Sequence, residues 1–372
     1  MHGTVAIGHR HSYANKTAFV LNAHAKRVSD SLVSQLVNVI PTGDLFYSRT
    51  FADAENYYRT VLRRGYGQVF SGGGDGTIIN TISLLKRIAK EEGIHQLPHI
   101  GVLRLGTGNA LASIASAGRP FSDVNHVVRG GKFDTRPLDL IECDNGGFTP
   151  FAGLGYDSEI LDDYMQLKKA HEGTVLAPVV KTVLGYLWAG IMRTAPRNFK
   201  KETNHIRIFS KSAAYKMVYI DGEDREIKIP AGTLLFEGPA PAVCVGSIPY
   251  VGYGLKMFPH VGKKDGFMQL RVYDGSIWSI LMRLYPGVWN GTCRHKNLHD
   301  FLVQDVQIAC EKPLPYQIAG DVMGLRSSVS FKAAPRAVNM AVLARSKQKE
   351  IGRASQVAQI GVVDYNRAYE SA

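Results

Sequence analysis

The sequence predicts an α/β domain built on a parallel sheet, followed by a mostly antiparallel β-rich domain. Three observations predict it. Strand-like and helical patterns alternate from Thr17 to about Ala117. Two glycine-rich turns each follow a short apolar run and open into helical spacing. After about Leu138, short β-rich runs separated by Gly, Pro, Asn and Asp dominate. The 372 residues suffice for two domains, and 45% hydrophobic residues with 38 glycines fit a globular chain rich in tight turns.

Taken in order, Thr17 to Leu21 (TAFVL) reads as a buried strand ending at Asn22. Between Ser29 and Ile40, residues Leu32, Val33, Leu36, Val37 and Ile40 recur at helical spacing. Leu45 to Arg49 is strand-like, and Thr50 with Asp53 introduces a helix over Ala52 to Arg64. The strand Gly67 to Phe70 leads into Ser71 to Thr77 (SGGGDGT), and helical period resumes over Ile78 to Ala89. His99 to Val102 precedes the second glycine turn, Leu105 to Asn109 (LGTGN), and a helical Ala110 to Ala117. In the second domain, Leu138 to Cys143, His205 to Phe209, Tyr215 to Ile220, Glu226 to Ile229 and Met268 to Tyr273 read as strands. One helix, around Thr174 to Met192, interrupts them. This stretch approaches membrane-spanning length, but it carries Pro178 and a central Lys181, which costs about 2.5 to 3.5 kcal/mol on insertion scales. It reads as a core or interfacial helix.

The formal charge of +12 draws the protein towards polyanions: nucleic acid, nucleotides or an anionic membrane surface. No block of five or six basic residues appears, and aromatic residues do not interleave with basic ones, so no nucleic acid is expected. Cys143, Cys244, Cys293 and Cys310 lie far apart and suggest neither a zinc knuckle nor a disulfide framework, which fits a reducing cytosol. The polar, histidine-rich start lacks the apolar core of a secretory signal, so a cytoplasmic location is expected.

In GGGDGT, glycines let backbone N–H groups approach a polyanion, and the following helix presents its positive end to the same place. Asp75 would repel phosphate directly, so the role expected of it is to hold Mg2+ or a metal-bound water. Thr77 can cap the helix or donate to phosphate. Glycine turns also serve plain connections; the preceding strand, the following helix and the embedded Asp-Gly-Thr favour a phosphate site. Two such turns at the ends of parallel strands would form opposite walls of one nucleotide site.

GGGDGT and LGTGNALA (Leu105 to Ala112) together resemble the diacylglycerol kinase catalytic family, which includes bacterial lipid kinases and sphingosine kinases. Weaker matches are GLGYDSEI from Gly153, LGYLWAGI from Leu184, FPHVGKKDGFMQLRV from Phe258 and YQIAGDVMG from Tyr316. NAD kinases and phosphofructokinases share a Gly-Gly-Asp-Gly loop, whereas LGTGNALA looks like the lipid branch. The resemblance implies an NAD kinase or phosphofructokinase-like nucleotide domain over 1–137, completed by 325–345. It also implies a β-sandwich-like lipid domain over 138–324, leaving 346–372 as a tail. It implies ATP and Mg2+ as cofactors and phospholipid chemistry. The implied partners are a lipid substrate and an anionic membrane surface touched peripherally, with room for a homodimer.

By the same resemblance, Asn22, Ala23, His24, Ala25, Lys26, Thr50, Gly73, Gly74, Asp75, Gly76, Thr77, Ile78, Ile79 and Thr107 would surround ATP. Asp265 would hold a structural Mg2+ with the carbonyls of Gly262 and Phe267; Asp265-Gly266 is equally a favoured turn pair. Asp321, in Ala319-Gly320-Asp321, matches the family's catalytic carboxylate, and Asp221-Gly222-Glu223 is the runner-up. Ala319 replaces an acid of that motif, and Asn80 stands where many members have Glu. These departures keep two alternatives open: an NAD kinase-type enzyme, and a catalytically impaired, nucleotide-responsive lipid-binding protein. Asp157 and Glu159 are candidates for a headgroup contact, and a polar strand end explains them equally. His295 and His299, four apart, have helical spacing for a metal but lack a third ligand.

Overall fold

Apolar runs alternating with helical segments build a parallel sheet of β1 (Thr17–Asn22), β2 (Leu45–Ser48), β3 (Gln68–Gly73) and β4 (His99–Arg104), in the order β2-β1-β3-β4. The computed structural model describes residues 16–344 except 26, 107–108, 181 and 200–202. The central positions of β1, β3 and β4 are buried, as strands between two helix layers must be. The helices are α1 (Asp30–Val37), α2 (Phe51–Arg64), α3 (Asp75–Glu91), α4 (Ala110–Ile114) and α5 (Pro120–Val128). On one face Tyr58 and Val61 of α2 join Ile82 and Leu85 of α3; on the other, Leu36 and Val124 pack with Phe19 and Phe70. The sequence's start signal at Thr50 is a full capping box: Asp53 N donates to Thr50 Oγ1 (3.0 Å) and Thr50 N to Asp53 Oδ2 (2.9 Å). Strand order reverses between β1 and β3, so the loops leaving them diverge and open a crevice at their carboxyl ends.

β5 (Phe133–Cys143) runs unbroken through the expected boundary at 137/138. Beyond it lie β6 (Phe148–Thr149), β7 (Phe151–Gly155), β8 (His205–Ser210), β9 (Ala214–Ile220), β10 (Glu223–Ile229), β11 (Leu234–Pro239), β12 (Ala242–Gly246), β13 (Met268–Tyr273), β14 (Leu298–Val303) and β15 (Asp305–Ile318). Antiparallel ladders join them around a core that includes Ile206, Val243, Leu270, Phe301 and Ile308. The last strand, β16 (Asp321–Leu343), is 23 residues long. It pairs with β15, then with β5, and meets β4 in parallel at Met340↔Ile100, so one strand links both halves.

The single helix expected over Thr174 to Met192 is broken. After α6 (Tyr156–Ala170) come α7 (Ala177–Val180), α8 (Val183–Ala189), a π-helical turn over Gly190–Thr194 and α9 (Ala195–Asn198). Thr182 starts α8 afresh by accepting from Leu184 N (3.2 Å), and Gly185 lies so close to Val180 O that an added Cβ would be 2.0 Å away. α6 and α10 (Ile277–Met282) are additional to the one helix expected here. The α6 signal is in the sequence: acids in its first turn, lysines in its last, and Ile160, Tyr164 and Leu167 on one face.

Candidate active site

The two glycine turns meet backbone to backbone at the carboxyl edge of the parallel sheet. A Cβ added to Gly106 would lie 2.3 Å from Gly74 Cα, so the approach requires glycine. Asp75 locks the contact. Its Oδ2 accepts from Ala110 N (3.0 Å) and its Oδ1 from Leu111 N (2.9 Å), capping α4 from the other turn. Burial raises the Asp75 pKa, and the backbone donors oppose that rise. The side chain expected to hold metal is thus already engaged at both oxygens. Asn109, at φ 56°, closes the second turn by accepting from Gly106 N (3.2 Å) and donating to Gly106 O (2.9 Å). Thr107 and Lys26 lie outside the described residues.

The 17-residue α3 starts at Asp75 with Gly74 as its N-cap and no side-chain cap. Its leading N–H groups therefore have no capping side chain, and the helix dipole favours an anion there. Beside this end lies a cavity of about 290 Å³ lined by Asn22, His24, Thr50, Thr77 and Asn80, among others. Asn22 Nδ2 donates to Thr77 Oγ1 (3.1 Å), tying the end of β1 to the loop after β3. His24 Nε2 is 2.7 Å from Arg49 O. The N–H of Ala23 goes to Ser48 O and that of Ala25 to Asn22 O, so both serve the loop itself. Gly73 allows Thr77 to close over it, since an added Cβ would lie 2.4 Å from the Thr77 side chain. Ile78 and Ile79 depart from the expectation. Their side chains are core, 1% and 5% exposed, because α3 begins three residues before the predicted Ile78 and turns them to the sheet.

A larger cavity, about 470 Å³, also borders the first turns of α3. Its polar lining includes Gly74 to Thr77, Asn80, Asp157, Lys168 and Asp321; its apolar lining includes Leu161, Met165, Leu187, Leu255 and Leu284. It adjoins an apolar annex of about 100 Å³ lined by Ile160, Leu281 and Val288. Thr77 and Asn80 line both the 290 Å³ and the 470 Å³ cavities.

Asp321 follows the turn Ala319-Gly320, whose φ values are 50° and 87°. A Cβ on Gly76 would lie 2.8 Å from Asp321 Oδ2, which places the carboxylate over the first turn of α3. Partial burial raises the Asp321 pKa. Gln317 fixes the turn: its Oε1 accepts from Gly320 N (2.9 Å) and its Nε2 donates to Asp157 Oδ2 (2.6 Å). Asp157 lines both the large cavity and the annex, and burial raises its pKa against the hydrogen bonds from Gln317 and Tyr186. Glu159 points elsewhere, to Asn198 and Arg197. Ala319 occupies a left-handed position that favours Asn, Asp or Gly. Ala319→Asn is therefore expected to stabilise the fold by about 1 kcal/mol, read from denaturant unfolding; an unchanged or lower midpoint would contradict the strain argument.

The runner-up for the base is corrected by its position. Asp221 and Gly222, at φ 52° and 84°, form the tip of the β9–β10 hairpin, and the Asp221 side chain is 79% exposed on the edge remote from the glycine turns. It is not placed to serve as the base. Asp265 is exposed in a turn where Phe267 N donates to Lys264 O (3.3 Å) and Gly266 has φ 75°, so the turn reading describes this geometry; Gly262, at φ 83°, precedes it. Among the described residues no three His, Cys, Asp or Glu side chains converge to hold a metal. His295 lies in a turn and His299 on β14, bonded to Asp274 Oδ2 (2.8 Å), not on one helix face.

Two family models match the chain. One describes the diacylglycerol kinase catalytic domain, over residues 17–143; the other the YegS C-terminal NAD kinase beta sandwich-like domain, over residues 197–342. The chain is similar to a probable lipid kinase YegS of Salmonella arizonae, 26% identical over 60% of this chain and 62% of the relative. A probable lipid kinase YegS-like protein of Alcanivorax borkumensis is 26% identical over 63% of each. These matches span less than two thirds of the relatives' length. The fold is similar to a crystal structure of a diacylglycerol kinase from Bacillus anthracis, with TM-score 0.55, 14% identity, and coverage of 89% of this chain and 97% of that one.

Proposed function

Because the chain belongs to the diacylglycerol kinase catalytic-domain family, we propose that it is an ATP-dependent kinase that transfers the γ-phosphate to a lipid hydroxyl, on diacylglycerol or a sphingoid-like alcohol. The observation that carries this reading is the meeting of two cavities at Thr77 and Asn80, with Asp321 over the adjoining turn. The nucleotide occupies the smaller cavity with its phosphates at the N-terminus of α3. The lipid occupies the larger one with its tail in the annex. Asp321 accepts the hydroxyl proton as the lipid oxygen attacks, and its raised pKa makes it a better base than an exposed carboxylate. Gln317 and Asp157 hold the turn that carries it. Mg2+ would offset phosphate charge when bound with the nucleotide; Asp75 already spends both oxygens on Ala110 N and Leu111 N, so its role here is to hold the two glycine turns together.

The annex is roofed by α8, the π-helical turn and α10, whose outer surfaces are apolar: Leu184, Trp188, Met192 and Met282 are 64%, 49%, 57% and 80% exposed. Lys168, Lys169, Arg193 and Arg283 lie on α6, the π-helical turn and the end of α10. This face supports peripheral docking on an anionic, cytoplasmic membrane surface. Among the described residues no helix is long and apolar enough to cross a membrane. Trp188→Ser with Met282→Ser is expected to weaken cosedimentation with anionic vesicles about tenfold or more. Undiminished cosedimentation would remove the docking face.

The activity itself is tested by incubating the protein with γ-labelled ATP, Mg2+ and a total lipid extract. Label in one lipid class is expected. Nucleotide binding with no labelled lipid, or label transferred to added NAD instead, would overturn the proposal.

A further inference from the structure

The β-rich half holds a second polar cavity, about 480 Å³, between β9, β14 and the segment 293–296. In the sheet, β12 and β13 separate β14 from β7 of the active site. Both carboxylates in this cavity are already engaged. Asp224 takes Lys263 Nζ (2.9 Å) and a two-pronged contact from Arg294 (3.0 Å at each oxygen), and Asp300 takes a two-pronged contact from Arg271 (2.7 and 2.8 Å). Lys216 and Lys296 also line the cavity, and neither side chain makes a hydrogen bond or ion pair among the described residues.

His260 supplies an independent observation. It is 2% exposed and lines the cavity, and its Nδ1 has no hydrogen-bond partner. The nearest acidic oxygen, Asp224 Oδ2, is 3.5 Å away. A buried nitrogen without a partner is costly and calls for a ligand or water to satisfy it. The cavity thus combines uncompensated positive charge, an unsatisfied buried nitrogen and room for a small molecule.

We propose that this cavity binds a phosphomonoester. Its terminal oxygens would take Lys216 and Lys296, and an oxygen or a phosphate hydroxyl would meet His260 Nδ1, which a singly charged carboxylate serves less completely. The group could arrive on a soluble metabolite or on the headgroup of phosphatidate in a membrane.

The test compares the full chain with a Lys216→Gln, Lys296→Gln double variant, whose fold is checked by thermal unfolding. Glycerol 3-phosphate is titrated by calorimetry, and phosphatidylcholine vesicles with and without phosphatidate are used for cosedimentation. The parent is expected to bind with Kd below about 1 mM, and the variant about tenfold or more weakly. Phosphate held at the glycine turns is retained by both proteins and so cancels in the comparison. Loss with glycerol 3-phosphate assigns a soluble ligand, and loss with phosphatidate vesicles alone assigns a headgroup; either supports the site. Equal binding by the two proteins, or no binding of either probe, overturns it.

Discussion

Asp321→Asn is expected to lower lipid phosphorylation about 10²- to 10⁴-fold in kcat while nucleotide binding persists. The amide keeps the shape of the side chain over Gly76 but cannot accept the proton of the attacking hydroxyl. Nucleotide contacts should survive, because Asp321 does not line the 290 Å³ cavity of Asn22 and Thr50. The base must be ionised to act, and burial raises its pKa, so parent activity should climb as pH rises through that pKa. The variant should lose this limb. Steady-state kinetics over pH with a nucleotide titration will show it, and an unchanged kcat would remove Asp321 from the chemistry.

Asp300→Asn is expected to destabilise the fold by about 3 to 5 kcal/mol. Arg271 and Asp300 are 4% and 9% exposed as side chains, and Gln269 Nε2 also donates to Asp300 Oδ1 (2.8 Å). Without the carboxylate, the guanidinium is left buried and unpaired. Burial by itself would raise the Asp300 pKa, but the charge and hydrogen bonds of Arg271 outweigh it and hold the carboxyl well below its usual range. A folded pKa below the unfolded one gives stability that is present above the unfolded value, about 4, and lost as pH falls towards the folded one. Denaturant unfolding from neutral pH to about pH 3 should therefore show a steeper acid loss in the parent than in the variant. Equal midpoints at neutral pH, or equal acid slopes, would refute the assignment.

The glycine turns and the capping box at Thr50 were legible in the sequence because the responsible residues are neighbours in the chain. Turn chemistry and capping act over a few positions. Asp75 shows where local reading stops: its charge suggests a metal, but its partners Ala110 and Leu111 lie in the other turn. The bond between Gln317 and Asp157 spans 160 residues and has no local signature. The apolar stretch from Thr174 looked like one helix by hydropathy, whereas Thr182 and the tight approach at Gly185 divide it. α6 was hidden because Gly153-Leu154-Gly155 before it reads as strand, which β7 indeed is, and the helix begins without a side-chain cap.

β16 sets an order of events during synthesis. The edge of β4 opposite β3 has β16 as its only strand partner among the described residues, and Asp321, the proposed base, opens that same strand. Until residue 343 leaves the ribosome, the nascent parallel sheet therefore displays an unpaired edge, the kind of surface that recruits other chains. Chains released before that point should need a chaperone and should lack the completed site, so a premature stop within β16 is expected to yield insoluble protein in place of a partly active enzyme.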